Sequence, residues 1–303
     1  MCKLKSAIIL KDRIFMPDYD SHSKMLEELK ITDDYFNASK VFVKAELSPK
    51  NKDVFSNIDD WKLEVDQDIT PEWFDEKDCT ERMRKAVKEW AKTHIFIGQN
   101  DLKISHGENI FIKDCEDVEI CGNATVKYIC GKATVENISS NATVENISGN
   151  ATVEYIYGDA TVESISGKAT AKYICGKATV KYIHDNATVE SICGDATVEN
   201  IYGNVTVKDI FNNATVTCIY SNTTVENIHD NATVKNICGN SMVNYIYGNA
   251  TVINSPYTKW NNSAALIIAD NATFKDCYSK TIYQAGGWKF VEVKYENSKL
   301  SMK

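Results

Sequence analysis

The chain reads Gly122-Asn123-Ala124-Thr125-Val126-Lys127-Tyr128-Ile129-Cys130, and this nine-residue pattern then continues without a slip as far as Pro256. That stretch forms fifteen consecutive units. A fixed period this short is typical of a solenoid, in which units stack on their neighbours and none folds alone. The sequence therefore predicts a mainly β protein built around a β-solenoid, or β-helix, of nonapeptide repeats.

Each unit carries the pattern of one short strand. Positions 3, 4, 5 and 8 are predominantly Ala, Thr, Val and Ile. This alternation predicts that Ala and Val point inward and Thr outward, with Ile as a third inward residue after a corner at positions 6 and 7. Position 1 is Gly in ten units and otherwise Ser, Asp or Asn, which favours a turn with positive φ.

The charges indicate how many units make one coil. Two units per coil place residue i beneath residue i+18, and one resulting column alternates in sign: Glu154, Lys172, Glu190, Lys208 and Glu226. A coil of one unit would instead stack Lys168 on Lys177. Because opposite charges on adjacent strands are favourable and like charges are not, we expect about two repeats, or about 18 residues, per coil.

Four segments divide the 303 residues. Residues 1–95 lack the repeat and predict a small α+β N-terminal domain, and residues 96–121 predict irregular first coils. Residues 122–256 form the regular array. Residues 257–303 contain an insertion at 257–269, one last repeat, and a C-terminal hairpin cap indicated by Gly286-Gly287.

Mixed periodicities within residues 1–121 predict several individual elements. The expected strands are Ala7–Leu10, Arg13–Met16, Lys40–Leu47 and Trp61–Val65. A short helix is expected from Ser21 to Leu29, and the run Asp78–Glu81 fits a capping box that opens a second helix. In the first coils the expected inward residues are Ile110, Ile112, Val118 and Ile120.

Charge and cysteine content exclude some classes of function. The net charge is −8, of which the array carries −4 (8 Lys against 12 Asp and Glu), so direct nucleic-acid binding is not expected. The sequence contains no apolar run long enough for a signal peptide or a membrane span. Ten cysteines without a secretion signal predict free thiols and a cytoplasmic location.

Position 9 carries the residues that most resemble a binding site. Phe211, His229 and Tyr247 are expected to stack in one column, and Tyr202 and Tyr220 in the other. Outward aromatic side chains are typical interface anchors, although the same rows can also serve only to stabilise the stack. No motif for a nucleophile, a phosphate loop, a calcium-binding turn or a metal site is present. We therefore expect no enzymatic activity, no cofactor and no metal.

Several stretches of the N-terminal region also carry a family resemblance: 6–12, 17–22, 65–73 (Val-Asp-Gln-Asp-Ile-Thr-Pro-Glu-Trp) and 87–92 (Val-Lys-Glu-Trp-Ala-Lys). The chain resembles uncharacterised bacteriophage and prophage proteins in which a small N-terminal α+β domain precedes a short-repeat β-solenoid array. The resemblance implies a bacterial cytoplasm and an accessory role such as interference with host defence. It implies no catalytic or binding residue.

Three functional hypotheses follow. The first is a non-enzymatic binding protein that blocks or sequesters a macromolecular partner, either a protein or a ribonucleoprotein, for example as an inhibitor of a bacterial defence system. The second is a structural or self-associating solenoid that forms a homo-oligomer. The third is a sponge for a small ligand such as a nucleotide. None of them involves a membrane.

Overall fold

The structure, a computed structural model, describes residues 5–237 and 239–253 and five strands beyond them. The chain forms two compact units. One comprises Met1–Ile97 with Glu108–Phe111, and the other comprises Gly98–Gly107 with Ile112–Lys303.

The N-terminal unit is built on a four-stranded antiparallel sheet with the strand order β2-β1-β3-β4. Its strands are β1 (Lys5–Leu10), β2 (Ile14–Phe15), β3 (Phe42–Ser48) and β4 (Lys62–Val65). Its helices are α1 (His22–Glu28), α2 (Tyr35–Ala38) and α3 (Glu76–His94), with 3₁₀ turns at Lys50–Lys52 and Ile58–Asp60. This arrangement confirms the small strand-and-helix domain expected from the sequence.

Apolar side chains on both faces of this sheet are buried. On one face Ala7, Val43 and Leu47 pack with Met83 and Val87 of α3. On the other face a second cluster contains Ile8, Leu10 and Phe42 from the sheet and Met25 and Leu26 from α1. Both faces of the sheet are therefore occupied, because successive side chains of a strand point to opposite sides.

The predicted capping box at Asp78–Glu81 is wrong, because α3 begins earlier. Asp75 has an extended backbone and its side chain accepts a hydrogen bond from the Asp78 backbone N–H at 2.7 Å. That geometry makes Asp75 the N-cap. Asp78 therefore lies inside the first turn of the helix, where its negative charge suits the helix dipole.

The second unit consists of short strands at a regular spacing. Before the regular array lie β5 (Ile95–Ile97, counted with the first unit), β6 (Lys103–Ile104), β7 (Ile110–Lys113, shared by both units) and β8 (Val118–Ile120). The strands of the array are β9 (Thr125–Cys130), β10 (Thr134–Ile138), β11 (Thr143–Ile147), β12 (Thr152–Ile156), β13 (Thr161–Ile165), β14 (Thr170–Ile174), β15 (Thr179–Ile183), β16 (Thr188–Ile192), β17 (Thr197–Ile201), β18 (Thr206–Ile210), β19 (Thr215–Ile219), β20 (Thr224–Ile228), β21 (Thr233–Ile237), β22 (Met242–Ile246) and β23 (Thr251–Ile253).

Alternate strands pair in parallel and form the two sheets of a β-solenoid. The odd-numbered strands from β9 to β23 form one sheet, here the odd sheet, and the even-numbered strands from β6 to β22 form the other, here the even sheet. In the array each residue pairs with its counterpart two repeats later, as Thr152 does with Thr170. Two repeats therefore make one coil, as the charge pattern predicted, and the solenoid has about nine turns.

The inward positions and the turns follow the predicted pattern. Ala, Val and Ile at positions 3, 5 and 8 are buried throughout the described array, and Ile110, Ile112, Val118 and Ile120 are buried in the first coils. Position 1 has a φ between 55° and 91° in all fifteen units, including those that begin with Ser, Asp or Asn. Asparagine side chains at position 2 tie successive turns together, since Asn222 donates to Asn204 at 3.2 Å and Asn204 to Asn186 at 3.3 Å.

At the C-terminal end the sheets continue with β24 (Leu266–Ile268), which pairs in parallel with β22, and β25 (Thr273–Lys275), which pairs with β23. The predicted hairpin is formed by β26 (Ile282–Gly286) and β27 (Lys289–Glu296), followed by β28 (Lys299–Met302). Gly287, within the predicted turn, lies outside the described residues, as does most of the insertion 257–269 apart from β24.

Candidate binding face

The aromatic side chains at position 9 stack in two ladders, as predicted. In the even ladder the ring of His229 lies between those of Phe211 and Tyr247, with centroid separations of 5.1 and 4.8 Å. In the odd ladder Tyr202 stacks on Tyr220 at 5.0 Å. His184 extends the odd ladder by stacking on Tyr202 at 5.0 Å, an addition that was not expected from the sequence.

Stacking leaves the ladder rings half-buried rather than fully exposed. Burial also raises the pKa of the Tyr247 hydroxyl above its ordinary value. Rings at this spacing stabilise one another and the coils that carry them. Stacking therefore covers at least one face of each of the five rings predicted to contact a partner.

More exposed aromatic side chains lie on the even sheet and were not expected from the sequence. Tyr155 and Tyr173 occupy position 7 of successive even coils, and their rings stack with centroids 5.0 Å apart. Their exposed fractions are 41% and 36%, and Tyr157 beside them is 40% exposed. Tyr155, Tyr157 and Tyr173 together form what we call the tyrosine face. The sequence signal for Tyr155 and Tyr173 is the recurrence of tyrosine at the same repeat position two units later.

Ion pairs between coils neutralise charge beside these rings. Lys172 bonds to Glu154, its neighbour on the preceding even coil, and the pair lies next to Tyr155 and Tyr173 in sequence. The hydrogen bond to Glu154 raises the pKa of Lys172. The odd sheet carries the analogous pair Lys181–Glu163, with 3.6 Å between nitrogen and oxygen. These charges are therefore compensated within the array.

Ser164, His184 and Asp185 form a Ser–His–Asp arrangement on the odd side of the solenoid. His184 Nε2 lies 3.0 Å from Ser164 Oγ, and its Nδ1 lies 3.1 Å from Asp185 Oδ1. Hydrogen bonds from His184 and from the Gly167 backbone lower the pKa of Asp185. Nucleophilic catalysis uses this order of groups, but Ser164 is only 8% exposed and His184 is covered by Tyr202. The contacts with Ser164 and Asp185 orient the His184 ring against Tyr202 and so stabilise the odd ladder.

Two neighbouring thiols lie on the even side. Cys175 and Cys193 occupy position 9 of successive even coils, and both are free. Burial, followed by the neighbouring Cys175, raises the pKa of the Cys193 thiol to about 11. Since the thiolate is the reactive form, both thiols stay protonated and react slowly near neutral pH. The seven cysteines identified within the described residues are all free, as the sequence predicted for them.

One cluster in the N-terminal unit has the composition of a metal site. His22, Glu46 and Asp66 come together there, with one potential ligand atom from each within 4.8 Å of the others. No sequence motif indicates this cluster, because the three residues are 24 and 20 positions apart (46 − 22 and 66 − 46).

No family model matches the chain, and no curated protein or solved structure matches it. Among the described residues, no helix combines the length and apolar character needed to cross a membrane.

Proposed function

We propose that the protein is a non-enzymatic binding protein that holds a macromolecular partner on the even sheet of its solenoid. The observation that carries this proposal is the tyrosine face, where three large rings lie together and remain 36–41% exposed, whereas the described part of the odd sheet exposes a single tyrosine, Tyr128 (44%). Tyrosine is enriched among the residues that dominate binding energy, because it combines a large apolar ring with a hydroxyl that forms hydrogen bonds.

The same side of the solenoid supplies a longer contact surface. Phe211, His229 and Tyr247 of the even ladder lie on the even coils that follow the tyrosine face, and the exposed Tyr245 lies beside Tyr247. Tyr202 and Tyr220 belong to the opposite column. We assign the even ladder to the partner contact and the odd ladder to stabilisation of the stack.

The charge balance favours a protein as the partner. The chain carries a net charge of −8 and its repeat array −4, whereas nucleic-acid binding requires a concentration of Lys and Arg that neutralises phosphates. A ribonucleoprotein remains compatible if its protein component makes the contact. The pairing of Lys172 with Glu154 also removes a cation from the part of the surface nearest the tyrosines.

The biological setting proposed here rests on the resemblance of residues 1–121 to bacteriophage and prophage proteins. It places the protein in the cytoplasm of a bacterial host and favours the role of an inhibitor, which binds a component of a host defence system and blocks it. The free thiols are compatible with a reducing compartment.

The test replaces Tyr155 and Tyr173 together by Ser, a residue that the same column already accommodates at Ser191. The matched control is Tyr182→Ser on the odd sheet, where Ser164 occupies the same column one coil earlier. Tagged wild type and both variants are used to capture partners from nuclease-treated bacterial lysate, and the dominant captured protein is then purified and its affinity measured.

We expect the double variant to lose the partner at least about tenfold in affinity, since each hot-spot ring contributes more than about 1 kcal/mol, and the control to retain it. Equal affinity for all three proteins would place the contact elsewhere. Recovery of the bait alone, in particles of more than one copy by light scattering, would favour the self-associating solenoid instead.

A further inference from the structure

We propose that the N-terminal unit binds a divalent first-row metal cation between His22, Glu46 and Asp66. His22 is the first residue of α1, Glu46 lies in β3, and Asp66 directly follows β4. One ligand atom from each lies within 4.8 Å of the others. Nitrogen and oxygen ligands bound at about 2.0–2.2 Å to one ion are separated by roughly 3–4.4 Å, so small side-chain movements complete the site.

Glu46 is the strongest indication that something is bound there. The residue is only 9% exposed, yet within the described part of the chain its carboxylate accepts no hydrogen bond and forms no ion pair. The exposed 9% leaves the carboxylate oxygens some contact with solvent, but a largely buried carboxylate without a counterion or a donor is still costly. Its carboxylate is instead directed at His22 and Asp66, where a cation would supply the missing charge.

Two residues lie opposite Glu46 in the sheet, Glu64 on β4 and Ser6 on β1. The Ser6 hydroxyl is itself buried without a hydrogen-bond partner among the described residues, so it is available to orient Glu46 once the cation is in place.

The hydrogen bonds of His22 leave one nitrogen for the metal. Its Nε2 lies 3.2 Å from the backbone oxygen of Ala45, and because a carbonyl only accepts, this nitrogen carries a hydrogen. In the neutral ring Nδ1 is then an acceptor, yet it faces Asp66 Oδ2 at 3.1 Å. Two acceptors at that distance require a proton or a cation between them. Metal-bound histidines commonly donate their other N–H to a backbone carbonyl in this way.

The ligand set defines the class of ion. One imidazole and two carboxylates suit Mn²⁺ or Zn²⁺ and do not favour a soft cation, and the two negative charges balance a divalent ion. The side chain of Asp66 is 67% exposed, so the site is open to solvent on that side. Three protein ligands with one open side leave a coordination position for water or for an oxygen of a bound molecule.

The test is a titration of the full-length, chelator-treated protein with Mn²⁺. Binding is monitored through the electron paramagnetic resonance signal of the free ion. Mn²⁺ is the probe because thiolates prefer softer metals and the chain has ten cysteines. We expect one bound ion per chain. The affinity for Mn²⁺ should fall more than about tenfold in His22→Gln and in Glu46→Gln, because even changes to residues that only orient a metal ligand cost about tenfold or more in metal affinity. His106→Gln and Asp68→Asn are the matched controls and should bind like wild type.

A second measurement on the wild-type protein does not depend on variants that fold. When Zn²⁺ is added, the ¹⁵N resonance of His22 Nδ1 should move strongly while Nε2 stays protonated. Failure to take up either ion, or equal affinity in the site variants and the controls, would overturn the proposal. A proton on His22 Nδ1 that persists at saturating Zn²⁺ would overturn it as well, since the cluster is then held together by an imidazolium.

Discussion

Replacing Ala171 by Val should make the solenoid more stable. Position 5 of the repeat is Val in fourteen of the fifteen units, and Ala171 is the exception. It is 1% exposed and lies in register between Val153 and Val189 of the neighbouring even coils. The substitution adds two methyl groups at a place where the neighbouring coils already hold them. At about 0.8 kcal/mol per buried group, we expect a gain of roughly 1.6 kcal/mol in the free energy of unfolding.

The assay is urea unfolding followed by far-ultraviolet circular dichroism, with the slope of the transition compared between variants. Val180→Ala, between Val162 and Val198 on the odd sheet, is the reciprocal control and should cost about 2–3 kcal/mol, because a cavity adds to the lost burial. A loss of stability in Ala171→Val would refute the reasoning. It would mean that the neighbouring side chains have closed around Ala171, so that the added methyl groups overpack the core.

Other perturbations test the inward, reactive and charged positions. Val189→Asp should lower stability by more than about 3 kcal/mol, because it buries an unpaired carboxylate; unchanged melting would contradict the inward assignment of position 5. The rate of Cys193 alkylation should reach half its maximum close to pH 11, the raised pKa of the thiol, because the thiol stays protonated below that pH. A half-maximal pH near that of an ordinary thiol would show that the Cys193 side chain is not buried. Lys172→Glu should cause a small loss of stability that shrinks in high salt, since it places like charges beside Glu154; a loss independent of salt would mean that packing is responsible.

Much of the solenoid was predictable because its local and long-range patterns agree. Position 1 carries turn residues and adopts positive φ in every unit, and the charges of Glu154 and Lys172 predicted the coil length that their ion pair confirms. The spacing of Phe211, His229 and Tyr247 likewise predicted their ladder. A repeat converts sequence distance directly into spatial distance, so contacts between residues two repeats apart can be read without a structure.

The remaining features depend on contacts that no period encodes. The cluster of His22, Glu46 and Asp66 forms only because an antiparallel sheet and a helix bring distant residues together. The start of α3 was misplaced because Asp75 and Asp78 are both good N-cap residues, and only the backbone geometry distinguishes them. Exposure also differs from the expectation, since the five ladder residues at position 9 are half-buried, whereas Tyr155 and Tyr173 at position 7 and Tyr157 at position 9 are 36–41% exposed.

Because each strand pairs with the next but one, odd-numbered and even-numbered repeats lie on different sheets of the array. Removing or adding two repeats would shorten or lengthen the solenoid by one coil and leave each downstream residue on its own sheet. A change of one repeat would preserve the core equally well, because every unit has the same pattern of inward positions. It would, however, move every downstream strand to the other sheet. Tyr245 and Tyr247 would then leave the side that bears Tyr155. The chain can therefore vary in length by whole coils while keeping its surface pattern, whereas a single repeat gained or lost would scramble that pattern in a protein that still folds.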